Sequence, residues 1–389
     1  MALAALFAQS AVASAQDSRT AAIAAEQSEK ATRLAPRVPN KAEQTIMMLQ
    51  RGVIEAPGGF YPFFGSVYSG GGFTLGGGYR QYFGDQTWWN VAGLYSAKAY
   101  KLIELASTSR GHFADRLFLR ARLGWRDATQ VAYHGLGIDS PADPGAQFRL
   151  QQAYGGGDLA YRPVRWTVFR ASATYESFTL KEPTSDFAFV DNVYDEATAP
   201  GAGVDPDYLH TYISAGIDSR PAVDYARRGS LVEVSHHHYG DRDDTYSFNR
   251  LDTEVVQHIP ILRENWVISL HGLLQTTVGD TDRVPYFLLP SLGSGSTLRA
   301  YSSWRFRDRN AVLASGEFRW IPSRLVLDLA LFYDTGMVAA KVDQFTTNRL
   351  VHDAGIGVRF HGPLSTPLRV ELARGREGLH LVFAGSAAF

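Results

Sequence analysis

The feature that most constrains this chain is an alternation of charged and apolar residues with a period of two. Residues 116–126 show it best, because arginines alternate there with leucine, alanine and tryptophan. Successive side chains of a β-strand point to opposite faces, so this segment reads as a strand with one charged and one apolar side. Arginines on one face would be hard to satisfy in a dry protein core, whereas a water-filled interior tolerates them. The pattern predicts a barrel with a polar lumen and an apolar outer surface that contacts lipid.

Residues 312–334 repeat this pattern around two carboxylates. Phe318 lies on the apolar face of the first segment and Glu317 on the opposite face. After a turn at 321–324, the apolar face of the next segment ends at Tyr333, and Asp334 points the other way. In a lipid-embedded barrel both Glu317 and Asp334 face the lumen, beside a long loop that carries Arg299.

About sixteen segments of this kind follow from residue 58 onward. The remaining length allows about 21 residues for each strand and its connection, as strands of roughly 10 residues require. The expected strands are 58–70, 72–84, 86–97, 99–109, 116–129, 146–162, 166–180, 208–219, 229–240, 245–260, 264–278, 309–321, 325–335, 351–361, 367–374 and 378–389.

The lengths of the connections give an independent indication of a membrane barrel. The long connections, at 130–145, 181–207, 279–308 and 336–350, all follow odd-numbered strands, whereas tight turns follow even-numbered ones. Long loops on one side and short turns on the other are typical of an outer-membrane barrel with both ends in the periplasm. We therefore predict an all-β fold, a transmembrane antiparallel β-barrel of about 16 strands, in the bacterial outer membrane.

Composition agrees with this prediction and excludes other classes. The chain contains 37 glycines, 19 tyrosines, 22 phenylalanines and 7 tryptophans, which suits many strands, turns and aromatic belts at a membrane boundary. A net charge of −1 gives no reason to expect nucleic acid as a partner. There are no cysteines, so disulfides and a cysteine nucleophile are excluded.

The N-terminal residues differ from the rest of the chain. Residues 1–15 contain a short apolar stretch followed by Ala13-Ser14-Ala15, which is typical of the end of an export signal. Residues 16–57 are rich in helix-forming residues and are interrupted by Pro36 and Pro39. We expect two short helices or a flexible leader there, in the periplasm or in the lumen, followed by the barrel domain at 58–389.

Two groups of residues could in principle indicate a metal site or an enzyme. His236, His237 and His238 lie near Asp241, Asp243 and Asp244, but neighbouring strand residues face opposite ways and the acids fall in an outer loop. Solvated loop residues are therefore the better interpretation than a metal site. His112, His134 and His210 are scattered, without a recognisable nucleophile motif. We predict neither a metal, nor a cofactor, nor an enzyme.

The last third of the chain resembles the bacterial surface-antigen barrel of the BamA/TamA superfamily of outer-membrane assembly and secretion proteins. The resemblance spans 58–389, and four motifs carry it. They are the loop Leu298-Arg299-Ala300-Tyr301, the strands Ser315-Gly316-Glu317-Phe318 and Phe332-Tyr333-Asp334-Thr335-Gly336, and a C-terminal strand signal with Leu381, Phe383 and the terminal Phe389. It implies a 16-stranded barrel whose sixth outer loop folds into the lumen, where Arg299 pairs with Glu317 and Asp334.

This chain departs from the family pattern in two places. The family motif usually has glycine where this chain has Ala300, and a Cβ there disfavours positive φ. Residues 16–57 are too short for a periplasmic POTRA domain, so the resemblance is to a barrel-only member.

Two hypotheses for function follow. The first is a factor that assists insertion or export of outer-membrane proteins through a weak seam between the first and last strands. Its expected partners are outer-membrane lipid, lipopolysaccharide, and client or partner proteins. The second is a plugged or porin-like barrel with a structural, permeability or partner-dependent role.

Overall fold

The computed structural model describes residues 58–389 except 64, 262–263, 280, 323–326, 363–365 and 367. The predicted export signal at 1–15, the segment 16–57 and part of the turn at 321–324 lie outside the described residues. Within the described part, no helix combines the length and the apolar character needed to cross a membrane.

Sixteen strands form one antiparallel sheet in which each strand pairs with its neighbour along the chain. They are β1 (Gly59–Phe63), β2 (Thr74–Phe83), β3 (Thr87–Ser96), β4 (Lys101–His112), β5 (Leu117–Tyr133), β6 (Ala146–Tyr161), β7 (Thr167–Lys181), β8 (Asp207–Asp218), β9 (Gly229–Asp241), β10 (Phe248–Ile261), β11 (Trp266–Val278), β14 (Asn310–Trp320), β15 (Leu327–Ala339), β16 (Val351–Phe360), β17 (Leu368–Gly375) and β18 (Gly378–Ala384). The predicted strand number and the antiparallel order are confirmed.

The connections contain a few short elements. A separate pair, β12 (Ser291–Leu292) and β13 (Phe306–Arg307), lies between β11 and β14. A single-turn helix, α1 (Val190–Val193), follows β7, and the turns at Thr281–Arg283, Val342–Gln344 and Thr347–Arg349 are 3-10 helical. The sequence pattern did not predict β12 or β13, because two residues are too few for an alternation to show.

The two faces of the strands have the predicted chemistry. Outward-facing Leu123 and Leu331 are 62% and 57% exposed, as expected for side chains that contact lipid. Inward-facing Glu317 and Asp334 are 3% and 0% exposed. Contacts between distant parts of the sheet show that it curves into a barrel. Phe389, which follows β18, stacks on His258 of β10 and on His271 of β11.

The end of the barrel that carries the long connections, here called the loop end, is closed by a packed apolar cluster. Tyr133, Phe148 and Tyr208 extend from the wall strands, and Tyr286 and Phe287 come from the connection between β11 and β14. The rings of Tyr133 and Phe148 each lie 5.0 Å from that of Tyr286. We call this cluster the cap, and it fills the lumen at the loop end.

The opposite end, here called the turn end, has one connection that is longer than the predicted tight turns. The connection 219–228 between β8 and β9 has ten residues, close to the 220–228 that the predicted strands left between them. It reaches Asp328 at the start of β15, although three strands separate β9 from β15 in the sheet. We call residues 219–228 the strap.

The first and last strands are shorter than predicted. β1 covers only Gly59–Phe63 of the expected 58–70, and β18 ends at Ala384 instead of Phe389. These two strands are the ends of the sheet order, and no pairing joins them among the residues that the structure describes. Closing the sheet into a barrel places them side by side, and we call this place the seam.

Candidate functional site

The connection between β11 and β14, residues 279–309, folds into the lumen; we call it L6. The short pair β12–β13 closes its neck, where Leu292 lies opposite Phe306. Its tip is a turn in which the Tyr301 amide donates to the Leu298 carbonyl at 3.2 Å. The turn presents Arg299 to the inner wall of β14–β17, and the buried Leu298 packs in the apolar cluster behind it.

The tip arginine binds both carboxylates that the sequence analysis selected. Arg299 Nε donates to Asp334 Oδ2 at 2.7 Å, and Nη2 donates to Asp334 Oδ1 at 2.9 Å. Its Nη1 donates to Glu317 Oε2 at 3.1 Å. The parallel pair of bonds to Asp334 is the forked geometry in which a guanidinium recognises a carboxylate most specifically. The structure therefore brings Arg299, Glu317 and Asp334 together.

Three further residues complete this arrangement, which we call the ion cluster. Arg299 Nη1 also donates to Glu371 Oε1 at 3.1 Å, and Arg369 Nη1 donates to Glu371 Oε2 at 2.6 Å. Arg359 donates to both Glu317 and Glu371. The cluster thus contains three arginines and three carboxylates, supplied by L6 and by β14–β17.

Sequence reasoning missed Glu371, Arg359 and Arg369 although they lie in predicted strands. The alternation assigns all three to the inward face, between outward residues such as Val358, Val370 and Leu372. It does not say which inward residues lie at the same depth in the barrel. The register does, because Gly357 pairs with Glu371 and Asp334 pairs with Asp353.

The ion cluster is almost completely removed from solvent. The side chains of Arg299 and Asp334 are 1% and 0% exposed. Although burial disfavours the charged form of Arg299, its hydrogen bonds to Asp334 and the negative charges around it outweigh that effect and raise its pKa above the usual value. Removing one partner of such a pair leaves an uncompensated buried charge, so the cluster holds L6 strictly in this position.

The wall beneath the tip is shaped to receive it. The guanidinium carbon of Arg299 lies 3.5 Å from the ring centroid of Phe332, which adds a cation–π contact. A Cβ at Gly375 would lie 3.1 Å from the Cβ of Ala300 and 3.1 Å from the ring of Tyr301. Glycine at this position therefore gives the tip the space it occupies.

Ala300 does not strain the tip. Residues with positive φ in the described chain do not include Ala300, so the turn does not need the glycine of the family motif. Its amide donates to Asp353 Oδ2 at 3.1 Å. The hydroxyl of the next residue, Tyr301, donates to the His352 carbonyl at 3.2 Å. Both contacts attach the tip to β16.

Beyond its tip, L6 contacts the connections on both sides of the seam. Trp304 Nε1 donates to the Ser69 carbonyl, in the β1–β2 connection, at 3.1 Å. The neighbouring Arg305 donates to Glu377, in the β17–β18 turn, at 2.9 Å. At the loop end, one loop therefore connects the first hairpin of the barrel to the last.

The predicted C-terminal signal residues occupy two different environments. Leu381 and Phe383 face outward and are 53% and 54% exposed. Phe389 does not continue their face, because β18 ends five residues earlier. Its ring stacks on inward-facing His271 with centroids 4.9 Å apart. The prediction that Phe389 extends the outer face of the last strand is wrong, since the final residues turn into the lumen.

The histidines considered for a metal site lie in β9. His237 faces inward. Its Nδ1 lies 3.0 Å from Nε2 of His210, and its Nε2 lies 3.5 Å from Oδ2 of Asp252. Nδ1 of His238 lies 2.9 Å from Oδ1 of Asn249. Asp241 accepts hydrogen bonds from backbone amides of its own loop. In the part of the chain that the structure describes, no three histidine or carboxylate side chains are grouped so that they could hold a metal ion.

Comparison with protein families gives a match that covers most of the chain: the Omp85 superfamily domain matches residues 90–376. The chain belongs to the Omp85 superfamily. None of the curated protein sequences compared with this Omp85 chain matches it.

Solved structures with a similar fold come from the same kind of barrel. BamA from Haemophilus ducreyi lacking POTRA domains 1–3 aligns with a TM-score of 0.61 at 15% identity, covering 84% of this chain and 69% of that one. CdiB from Escherichia coli aligns with a TM-score of 0.56 at 11% identity, covering 83% of this chain and 61% of that one. CdiB from Acinetobacter baumannii aligns with a TM-score of 0.50 at 9% identity, covering 83% and 58%.

These matches establish a bacterial outer-membrane β-barrel of the Omp85 type. The family match rests on sequence, whereas identities this low show only that the fold is shared. In an outer-membrane barrel the loop end faces the outside of the cell and the turn end faces the periplasm. L6 is thus an outer loop whose tip reaches inward to the ion cluster.

Proposed function

We propose that this Omp85 barrel assists the insertion or export of proteins at the outer membrane by opening at the seam. The observation that carries the proposal is the way the two edge strands are held. β1 and β18 have 5 and 7 residues, whereas the other strands of the sheet have 8 to 17. Pro62 within β1 cannot donate to a strand ladder, and such a residue is usually confined to an edge strand. The edges are therefore the weakest places in the wall.

The position of L6 supports the same proposal. Trp304 and Arg305 connect the two sides of the seam at the loop end, and the ion cluster fixes the loop that carries them. Freeing the tip of L6 removes the connection across the seam and leaves the pairing of neighbouring strands in the sheet intact. We infer that the position of L6 sets how easily the edge strands separate.

Separated edges would offer unpaired backbone groups to another strand. An edge strand is a template for pairing with a further chain, and this is a common mode of peptide recognition. An unfolded outer-membrane protein is the occupant that suits such an edge in a membrane, because it must satisfy its own backbone groups in the bilayer. Outer-membrane lipid and lipopolysaccharide are the expected surroundings of the outward face.

The test is an insertion assay with and without a crosslinked seam. The chain lacks cysteine, so pairs introduced between residues 59–63 and 378–384 can be screened for disulfide formation without background. Purified protein in liposomes is given an unfolded outer-membrane protein, and its folding is followed by protease protection. The proposal predicts that the oxidised seam variant loses insertion and regains it on reduction.

A crosslink within the wall is the matched control. Tyr79 and Val91 face each other in the β2–β3 register, so a cysteine pair there joins strands that are already paired. Oxidation of this control should leave insertion unchanged. Equal insertion by the reduced and oxidised seam variant would contradict the proposal.

A plugged barrel is the second candidate function. The cap at the loop end and the strap at the turn end support it, because both place protein across the lumen. Steady large conductance in planar bilayers without insertion activity would favour a porin-like role. Low conductance together with no insertion would favour a closed structural role.

A further inference from the structure

The strap is bound at a defined site on the inner wall at the turn end. The hydroxyl of Tyr225 donates to the carboxylate of Asp328, 3.1 Å from Oδ1 and 2.9 Å from Oδ2. Tyr225 is 5% exposed and Asp328 is completely buried. A neutral donor that meets both oxygens of a buried carboxylate is a specific contact, since a charged acceptor strengthens the hydrogen bond.

The tyrosine ring fills a slot between charged and aromatic side chains. It stacks on His361 with ring centroids 4.3 Å apart and planes 9° apart. The guanidinium carbons of Arg227 and Arg319 lie 5.2 and 5.9 Å from its centroid. Burial, followed by the negative charge of Asp328, raises the pKa of Tyr225, so its hydroxyl keeps the proton that it donates.

In the middle of the strap, two further contacts with the wall involve its backbone. Arg319 donates to the Ala226 carbonyl, and Thr366 Oγ1 donates to the Asp224 carbonyl at 3.0 Å. At its two ends, Arg220 pairs with Asp218 and Arg228 pairs with Glu264. Every peptide has carbonyls at the positions of Ala226 and Asp224, so in the middle of the strap Tyr225 is the side chain that the wall recognises. The chemistry of the site is therefore that of a binding site for an extended peptide with one tyrosine.

The site is also adjacent to the ion cluster. Arg319 Nε lies 3.7 Å from Glu317 Oε1, and Glu317 accepts a hydrogen bond from Arg299 of L6. A peptide that replaces the strap would thus be held by a side chain that already touches the cluster. The segment bound at the turn end therefore contacts Arg319, which lies next to the residues that position L6.

We propose that Asp328, His361, Arg319 and Thr366 form a peptide-binding site that the strap occupies in the resting barrel and that a tyrosine-bearing segment of an unfolded protein occupies when the strap leaves. The strap is then an internal competitor that keeps the site filled until a client arrives. The identity of the occupant as a client rests on the proposed function, whereas binding of a peptide does not.

The test uses a fluorescein-labelled peptide with the sequence of residues 219–228 and the purified full chain in detergent. In the wild type the tethered strap is present at high effective concentration and excludes the free peptide. The Tyr225→Ala strap loses its side-chain contacts, so the peptide should bind this variant about tenfold or more tighter than the wild type by fluorescence anisotropy. A peptide with alanine in place of its tyrosine should bind neither protein.

Three further variants make the result interpretable. Tyr225→Phe keeps the ring and loses the two bonds to Asp328, so peptide binding should be intermediate. The double variant Tyr225→Ala with Asp328→Asn should bind the peptide much more weakly than Tyr225→Ala alone. Tyr95→Ala, which removes a tyrosine from the lipid-facing surface, should behave as wild type. Retained heat-modifiability on gels shows that each variant is folded.

Equal binding to wild type, Tyr225→Phe and Tyr225→Ala, or equal binding of the tyrosine and alanine peptides, would overturn the inference. If Tyr225→Ala does not fold, the comparison of peptide binding between wild type and Tyr225→Phe tests the inference. Peptide binding without insertion activity would leave the site standing and contradict the proposed function. Insertion activity without peptide binding would contradict the site alone.

Discussion

Two arginine–carboxylate pairs on the inner wall have almost the same geometry and very different surroundings. Arg122 in β5 donates two hydrogen bonds of 3.0 Å to Asp158 in β6. Arg299 donates two hydrogen bonds of 2.7 and 2.9 Å to Asp334. The first pair is 33% and 28% exposed in the lumen, and the second is 1% and 0% exposed beneath L6. Geometry alone therefore does not decide what such a pair contributes.

The difference lies in the solvation of the charges. In the exposed pair, water stabilises both ions separately, so the pair itself contributes little. In the buried pair, loss of either partner leaves a charge without water or a counter-ion. The wall at Arg122 and Asp158 is thus hydrated, whereas the β14–β17 wall beneath L6 holds one loop in a fixed position.

The largest expected effect is that of Arg299→Ala. It leaves Asp334, Glu317 and Glu371 without their shared partner, and breaking a buried ion pair costs about 3–5 kcal/mol. We expect a markedly lower temperature for the gel-mobility shift of the barrel and new protease cleavage within L6. Unchanged heat-stability and protease resistance would contradict the role assigned to the ion cluster.

The next effect comes from Gly375→Val. The new side chain would overlap the space of Ala300 and Tyr301, whose atoms lie 3.1 Å from an ideal Cβ at this position. Overpacking of this kind costs about 1–3 kcal/mol. Gly272→Val is the control, because no atom lies within 4 Å of its ideal Cβ. Equal heat-stability of the two variants would show that the L6 tip does not rest on Gly375.

A pH effect is expected from His134 at the loop end. Burial, followed by the charge of Arg305, lowers the pKa of His134 from 6.5 to about 4. Between these values the unfolded chain binds a proton that the folded protein does not, so stability falls as the pH drops below about 6.5. At pH 5 the expected loss is about 2 kcal/mol relative to neutral pH.

The check is the gel-shift temperature at pH 7.5 and pH 5 for wild type and His134→Gln. Glutamine does not titrate, so the variant should lose less stability on acidification than the wild type. Equal pH dependence of the two proteins would remove His134 from the explanation.

The smallest effect should be that of Arg122→Ala. Its pair with Asp158 is hydrated, and exposed ion pairs contribute about 1 kcal/mol or less. The gel-shift temperature should stay close to that of the wild type. A loss as large as that of Arg299→Ala would show that burial does not explain the contrast between the two walls.

Much of the fold followed from the sequence because period two is a local property. The sequence of each strand alone distinguishes its inward from its outward face, so Glu317 and Asp334 could each be assigned to the lumen from their own strand. The pairing with Arg299 came from the resemblance to a family loop. Glu371, Arg359 and Arg369 were missed because their meeting depends on the register of four strands.

The strap and the C-terminal residues were missed for a related reason. The predicted strands left residues 220–228 as a connection, but its sequence does not show that Tyr225 bonds to Asp328, more than a hundred residues later in the chain. Phe389 was assigned to the outer face because the alternation in the sequence continues up to it, but its ring stacks on inward-facing His271. Contacts across the lumen have no local signature.

The central claim is that the charged faces of the strands line an enclosed aqueous lumen while the apolar faces contact lipid. Spin labels at single cysteines measure this directly in liposomes, and the chain has no native cysteine to interfere. A label at Leu331 should collide with oxygen dissolved in the bilayer, and a label at Arg122 should collide with a water-soluble nickel reagent. The reverse result, with Arg122 accessible from lipid and Leu331 from water, would contradict the account.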